Sequence, residues 1–462
     1  MRRYLLIFLL FGFSLGWSQV IDWLPLAPTQ TGLVVYSPDT DSLIIANNPD
    51  SLFCWASNVK LVTTAAALHY LGGGYRFLTQ FAYDPHEHVL YIKAGGDPST
   101  VTDDIESIAT ALKEQKMNDI HRIVVDDFMY GEDGFQPLPN EPNEGDDAYK
   151  AFYSALMLNY NAIQIDVSPT KKNRKPLVTL RTPGKYLAIE NKARTSAGRR
   201  SSLGVSVLPG KITDSVQISG RLGTRVGTIT ANRRIFHPTA YYLRTLEHFL
   251  DISPYTYIDR VPLNDEMFTD SSYADSSFVT YTHESKPLRE IIRLMNLYSS
   301  NPVAEALRGY LNANAARFGF PNEDMMDVFV HQELHETVDL AGGSGLGHDV
   351  NLLSPRFMLK LLKYEYDQAD CCIDFYGSLP VYGEEGTLRK IRGYEIPGVI
   401  RAKTGTLSDV SSLSGLLFDS QDRCYLFAFT MNRTPNHGFD KSLYRNRIIG
   451  QVRDYLSLLP IR

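Results

Sequence analysis

The sequence predicts a multidomain α/β protein with a β-rich insertion, and three observations carry that prediction. The chain has 462 residues, more than one ordinary core accommodates, so two or three domains are expected. Residues 88–130 alternate strand, helix and strand, the pattern of a small α/β unit. From about 160 to 235 that alternation gives way to short β runs separated by turn residues. Hydrophobic residues make up 44% and charged residues 21%, a globular composition that excludes a disordered or collagenous chain.

Taken in order, the chain opens with Arg2 and Arg3, then an almost uncharged apolar run from Tyr4 to Leu15, then Gly16-Trp17-Ser18. This reads as a secretory signal peptide over 1–18, since the run is too short to span a bilayer. No Cys follows the cut, so no lipid anchor is expected. No later stretch of about 20 apolar residues exists, so no transmembrane segment is expected and the mature chain should be periplasmic. Strands are expected at 32–36 and 43–47, joined by the turn Pro38-Asp39-Thr40-Asp41. An Ala-rich helix over 57–68 stops at Gly72-Gly73-Gly74. A strand at 89–93, a helix over 102–115 and a strand at 122–125 follow. The β-rich stretch contributes 162–167, 177–181, 205–208, 215–219 and 227–231. Helices return at 240–250, 288–295, 303–318 and 355–365, then strands at 399–403, 412–418 and 424–431. An amphipathic helix over 443–459 closes the chain and is expected to pack on a sheet rather than a membrane.

Charge is unevenly distributed. Residues 168–235 hold fifteen Lys and Arg against two acids, Glu190 and Asp214, a net of +13 that leaves −19 for the rest. The four cysteines, Cys54, Cys371, Cys372 and Cys424, include an adjacent pair and no CxxC spacing, which argues against zinc and iron–sulfur.

Three short motifs carry chemistry. In Ser57-x-x-Lys60, positions i and i+3 share a helix face, so the lysine reaches the serine hydroxyl. Serine needs a base to take its proton, and a lysine serves when burial and a second cation lower its pKa. Free N–H groups at a helix start suit an oxyanion. Alone the motif is weak, because about two matches arise by chance in a chain of this composition. Ser168-Pro169-Thr170-Lys171 is such a match and reads as a loop. Taken singly, Ser57 is a helix cap, Lys60 a solvated charge, and Ser299 and Asn301 a cap for the helix at Pro302. Ser299-Ser300-Asn301 and Lys403-Thr404-Gly405-Thr406 follow in chain order, and the three together form a penicillin-binding signature.

On these motifs the chain resembles the class C low-molecular-mass penicillin-binding proteins, the D-alanyl-D-alanine carboxypeptidase/endopeptidase family (peptidase family S13). The long gap between Lys60 and Ser299 fits that family's inserted domains. Ala94-Gly95-Gly96-Asp97-Pro98, Tyr153-Ser154-Ala155-Leu156, Gly343-Ser344-Gly345-Leu346 and Leu379-Pro380-Val381 match as well. The resemblance implies a penicillin-binding/β-lactamase-like transpeptidase domain, a sheet flanked by helices, at 19–82 and 281–462. An inserted α/β domain would occupy 83–165 and 236–280, with a nested β-rich basic domain at 166–235. It implies a serine D,D-peptidase acting on D-Ala-D-Ala termini and D,D-cross-links of peptidoglycan stem peptides, acylated by β-lactams, with no metal and no cofactor. Ser57 would be the nucleophile, Lys60 its base, and Ser299 a proton relay to the leaving amine. Asn301 would bind the substrate backbone. Lys403 would be the second cation, with Thr404, Gly405 and Thr406 lining the carboxylate and oxyanion site. The N–H groups of Ser57 and Thr406 would form the oxyanion hole.

Where the family reads Asp-Gly-Ser-Gly-Leu-Ser-Arg, this chain has Gly342-Gly343-Ser344-Gly345-Leu346-Gly347-His348. The arginine used on a diaminopimelate carboxylate is replaced by His348, unless Arg356 reaches in. Its acidic partner lies among Asp133, Asp146 and Asp147. His331-Gln332-Glu333-Leu334-His335 lacks the glutamate that must follow the first His of a zinc peptidase. His86-Glu87-His88 reads as a solvated turn. Two rivals stand beside the peptidase reading. A β-lactamase or esterase would call for a Glu-x-x-Leu-Asn deacylation motif, which is absent. A noncatalytic envelope-binding protein would not need Ser57, Lys60 and Lys403 intact. The basic segment 168–235 fits an anionic envelope polymer, and secretion makes nucleic acid an unsuitable partner.

Overall fold

The computed structural model describes residues 30–211, 213–252, 257–268, 278–395, 398–434 and 440–460, so the expected signal peptide lies outside the described residues. Among the described residues no helix is long and apolar enough to cross a membrane. The chain forms two compact units, one of residues up to 73 with 292–299 and 323–462, the other of 74–291 with 300–322.

The first unit is built on a five-stranded antiparallel sheet in the order Ser42–Asn47, Thr31–Ser37, Cys424–Met431, Ser411–Phe418, Ile400–Thr406. Every residue of Thr31–Ser37 is buried, the mark of a strand covered on both faces. Leu33 and Val35 enter one core with Leu413, Phe427, Ile449, Val452 and Leu456, so the C-terminal helix Lys441–Ser457 covers that face. Gly32 points the other way, and a Cβ there would strike Phe53 and Pro355, which opens the helix Pro355–Asp367. The sheet therefore lies between helices, and the terminal helix packs on it as expected. The helix Lys60–Leu71 is buried from Lys60 through Leu68, and Gly72 ends it at a φ of +76°. Leu, Val and Ala fill its apolar length, and Ala65, Ala66 and Ala67 let neighbours approach from every side.

The second unit contains a five-stranded mixed sheet, ordered Tyr257–Arg260, Arg122–Asp126, Val89–Lys93, Leu78–Asp84, Val279–Glu284. Its first two pairings are parallel and the others antiparallel. The helices Thr102–Glu114 and Pro238–Leu250 pack together beside it. Smaller sheets order Leu177–Leu180, Ala162–Ser168, Ile229–Arg234 and Ala188–Asn191, Ser215–Ser219, Gly204–Leu208. Val207, Val216 and Ile218 from these strands join the same core as Phe81, Ile123 and Leu246. In the Gly95-Gly96-Asp97 turn a Cβ on Gly95 would meet the Leu78 carbonyl. Asp97, buried, accepts from Ser99 N–H (2.8 Å), Ser99 Oγ (2.6 Å) and Thr100 Oγ1 (2.8 Å). That motif is a structural turn.

The element readings need correction at several points, beginning with the helix expected over 57–68, which is a 3-10 turn, Ala56–Val59, followed by the α-helix Lys60–Leu71. The strand expected at 227–231 runs over Ile229–Arg234, because Gly227 has a left-handed φ of +83°. The helix expected over 303–318 is Asn301–Ala313 followed by a separate 3-10 turn, Ala315–Phe318. The helix expected to end at 295 continues to Tyr298. Strands Leu78–Asp84 and Val279–Glu284 and helix Met325–Leu334 were not anticipated.

The fold also buries one isolated acid. Glu365 is 1% exposed, its Oε2 has no hydrogen-bond partner among the described residues, and burial pushes its carboxyl up to about 8. The folded chain thus holds a proton that the unfolded chain loses from about pH 4.5 upward. This contribution to stability is complete below the unfolded pKa, erodes as pH rises, and is gone above the folded pKa. Glu365→Gln should unfold like the parent near pH 4 and at a higher midpoint than the parent at pH 9. Thermal melts at the two pH values check this, and an equal midpoint difference at both would refute it.

Candidate active site

Ser57 lies in a single 3-10 turn, Ala56–Val59, that leads into the buried helix beginning at Lys60. Ala56 adopts a left-handed φ of +48°, a strained setting for a residue with a Cβ. The surrounding contacts hold it there. Trp55 is fully buried and its indole donates to the Leu353 carbonyl at 2.8 Å. The Cys54 N–H donates to Asn432 Oδ1 at 2.8 Å, and Thr430 Oγ1 donates to the Cys54 carbonyl at 3.1 Å. With its amide oriented to satisfy both ends, Asn58 accepts from Gly405 N–H at 3.1 Å and donates to the Lys403 carbonyl at 3.2 Å. Ser57 is thereby fixed against the strand Ile400–Thr406, and a Cβ on Gly405 would collide with the Trp55 carbonyl and Ser412 Oγ.

Lys60 is fully buried, and its Nζ donates to Ser57 Oγ at 3.0 Å and to the Ser344 carbonyl at 2.7 Å. Lys403, equally buried, donates to Ser299 Oγ at 2.9 Å and to the Thr404 carbonyl at 2.7 Å. Burial first, then the Lys60 and Arg445 cations, holds the Lys403 ammonium well below the usual lysine range. Arg445 is itself buried and pushed down to about 10. Ser299 has a left-handed φ of +56°. Thr404 is buried and donates to Thr387 Oγ1 at 2.8 Å, Gly405 is buried, and Thr406 ends the strand exposed.

Ser57, Lys60, Ser299, Lys403, Thr404, Gly405 and Thr406 all belong to the first unit. Asn301 belongs to the second, where it opens the helix Asn301–Ala313 and donates to the Tyr149 carbonyl at 3.2 Å. The helix follows Ser300 without any side-chain cap, so the simple capping reading of this motif does not describe it. Ser168 ends a strand and bonds Thr228 Oγ1 at 2.8 Å. The glycine-rich stretch works through its carbonyls, giving Ser344 O to Lys60 and Gly343 O to Thr63 Oγ1 at 2.7 Å. Of the residues weighed for a side-chain carboxylate, Arg356 is held by both oxygens of Asp50 at 2.5 and 3.0 Å. His348 lies 2.9 Å from Asp409 and 3.2 Å from Ser408 Oγ. Asp146 accepts from Val207 N–H at 2.6 Å and pairs with Arg233 at 3.2 Å. Sequence reasoning missed Asn58, Ser412 and Arg445. Their only sequence signal was position, Asn58 inside the Ser-x-x-Lys motif and Ser412 on the strand beside Lys403-Thr-Gly.

A serine and two buried lysines meet between a central helix and a sheet-edge strand, in the fold of a penicillin binding protein. The chain belongs to the D-Ala-D-Ala carboxypeptidase 3 (S13) family, which it matches over residues 20–452. It is a peptidase of the D-Ala-D-Ala carboxypeptidase type. A D-alanyl-D-alanine carboxypeptidase from an Actinomadura species is 28% identical over 413 residues, 83% of this chain and 74% of that one. Penicillin binding protein 4 of Haemophilus influenzae shares the fold, with a TM-score of 0.74 at 18% identity, covering 92% of this chain and 96% of that one. The same protein complexed with a β-lactam superposes with a TM-score of 0.70 at 17% identity, covering 95% and 99%.

Gly345 fixes the loop that supplies Lys60 with its carbonyl. Its φ is +77°, and a Cβ would meet the Ala56 carbonyl. Left-handed strain together with overpacking should make Gly345→Ala cost about 2–5 kcal/mol. Chemical denaturation measures this, and an unchanged midpoint would show the loop free to yield.

Proposed function

We propose that the protein is a serine D,D-peptidase that cleaves D-Ala-D-Ala ends and D,D-cross-links of peptidoglycan stem peptides through an acyl-enzyme on Ser57. The observation that carries this is Lys60 Nζ 3.0 Å from Ser57 Oγ, in a site whose second lysine is pressed toward its neutral form. Lys60 accepts the hydroxyl proton as Ser57 Oγ bonds to the carbonyl carbon. The N–H groups of Ser57 and Thr406 carry the developing oxyanion. Ser299 passes a proton to the leaving D-Ala nitrogen as the C–N bond breaks. Lys403 and Thr404 hold the terminal carboxylate. Water then hydrolyses the ester. β-Lactams present the same carbonyl and carboxylate and stop at the ester, a reading supported by the β-lactam complex of the similar fold. Such a substrate places the enzyme in the cell envelope, in keeping with the leader read at 1–18.

We also propose that the basic segment docks on an anionic envelope polymer. Thirteen of its fifteen Lys and Arg are exposed. Among the described residues, Arg181, Lys192 and Arg233 are its members in ion pairs with carboxylates, to Asp166, Glu190 and Asp146. Arg234 is spent in the interior, stacked on Phe152 and Phe236.

Ser57→Ala should abolish labelling by a fluorescent penicillin, and Ser168→Ala should leave it intact. Lys60→Ala should slow acylation by several orders of magnitude. Undiminished labelling of the Ser57 variant would remove the nucleophile assignment. Binding to isolated sacculi should collapse between 0.1 and 1 M salt, where the Debye length falls from about 10 to about 3 Å. Hydrolysis of a small peptide should change little over the same range. Reversing Lys171, Lys172, Arg174 and Lys175 to Glu should reproduce the loss with penicillin labelling retained. Co-sedimentation of the reversed protein at the parent's level would leave the segment as solvated surface.

A further inference from the structure

The turn at His86-Glu87-His88 is more than solvated surface. It joins the strands Leu78–Asp84 and Val89–Lys93, and His88 takes a left-handed φ of +55°. The turn between the two strands sets this conformation, which histidine adopts more readily than most residues with a Cβ. Val89–Lys93 runs parallel to Arg122–Asp126, with Val89 opposite Arg122. His88 and His121 therefore stand side by side, each just ahead of the same rung. The His121 N–H donates to the His88 carbonyl at 2.9 Å and locks that register. Adjacent strands are about 4.8 Å apart, and the two imidazoles stack with centroids 4.6 Å apart and planes 29° from parallel.

Asp119 reaches the same point from the loop before His121. One carboxylate oxygen lies 3.1 Å from His88 Nδ1 and the other 3.1 Å from His121 Nε2. The three donor atoms all fall within 4.8 Å of one another, and the group is open to solvent, with Asp119 64% exposed. The Tyr83 hydroxyl donates to the Asp119 carbonyl at 2.8 Å and braces the loop that carries the carboxylate. Donors bound at 2.0–2.1 Å to one tetrahedral ion stand about 3.3 Å apart, so these three donors, which lie within 4.8 Å of one another, would close on one ion by small side-chain rotations. Two imidazoles and one carboxylate suit a zinc-like divalent transition ion and not calcium or magnesium, which take oxygen ligands.

We propose that His88, Asp119 and His121 form a binding site for a divalent transition-metal ion, water completing its coordination. The ion would clip the turn before Val89 to the loop before Arg122, within the second unit and without any residue of the Ser57 constellation. The test uses the untagged full chain, stripped with a chelator and titrated with Zn²⁺ by calorimetry and with Co²⁺ by visible absorption. One equivalent should bind with a dissociation constant of about 10 µM or below, give a Co²⁺ d–d band, and raise the melting midpoint. His121→Ala, and separately His88→Asn, which keeps a residue tolerant of positive φ, should each weaken binding at least about tenfold and remove the band. Penicillin labelling should be unchanged in both. If either variant takes up Zn²⁺ like the parent, or the parent does not bind one equivalent at about 10 µM or below, the proposal fails. The three side chains are then only histidine–aspartate ion pairs.

Discussion

Two lysine side chains, Lys60 and Lys403, are buried in one site, and the neighbouring structure answers the cost of keeping them there. An ammonium group taken out of water loses several kcal/mol of solvation even after the protein relaxes. The partners seen at Lys403 are a serine hydroxyl and a carbonyl, both neutral, and its charged neighbours are the cations Lys60 and Arg445. Neutral acceptors orient an ammonium without cancelling its charge, so losing a proton relieves the site. Burial beside two cations thus favours a neutral, basic nitrogen at Lys403, next to the Ser299 hydroxyl.

Such a site holds only if its backbone cannot relax around the lysines. The turn carrying Ser57 is tied to the sheet through Cys54, Trp55 and Asn58, and the Gly405 backbone fits against it where no side chain would. Gly345 presses the loop that supplies the Ser344 carbonyl against Ala56 in the same way. Positive φ at Ala56 and Ser299, on either side of the lysine pair, is the local cost of aiming two hydroxyls at two ammonium groups. The C-terminal helix adds the third cation from the sheet's other face, where Arg445 lies within 3.5 Å of the Ser412 carbonyl.

How much of this was legible in the sequence follows from the kind of signal each part leaves. The three motifs were legible because the chemistry proposed for them demands fixed residue types at short spacing. The strand 424–431 and the helix ending at Gly72 were legible because local periodicity and a glycine stop are local properties. Leu78–Asp84 and Val279–Glu284 were not. Each is half polar; Val279–Glu284 becomes a strand by pairing with Leu78–Asp84 across a long stretch of chain, and Leu78–Asp84 by pairing along both of its edges. Asn58, Ser412 and Arg445 escaped for a related reason. A polar residue in a helix or strand reads as surface, and only the tertiary structure turns it inward to satisfy backbone groups or crowd a lysine. His88 and His121 are the same case at the surface, placed together by a parallel pairing that neither residue announces.

The unequal charge of the chain divides into two populations with opposite physics. Lys60, Lys403 and Arg445 are buried, and burial lowers the affinity of Lys403 and Arg445 for protons. The Lys and Arg of 168–235 are mostly exposed, so water keeps them charged and their field extends into solvent only as far as salt allows. An interior cation is screened by protein rather than by ions, so added salt barely alters the chemistry at Ser57. A solvated cation has little hold on a small peptide but acts collectively on a polymer bearing many anions. The proposed docking and the proposed cleavage therefore draw on separate groups of lysines and arginines, and one can change without disturbing the other.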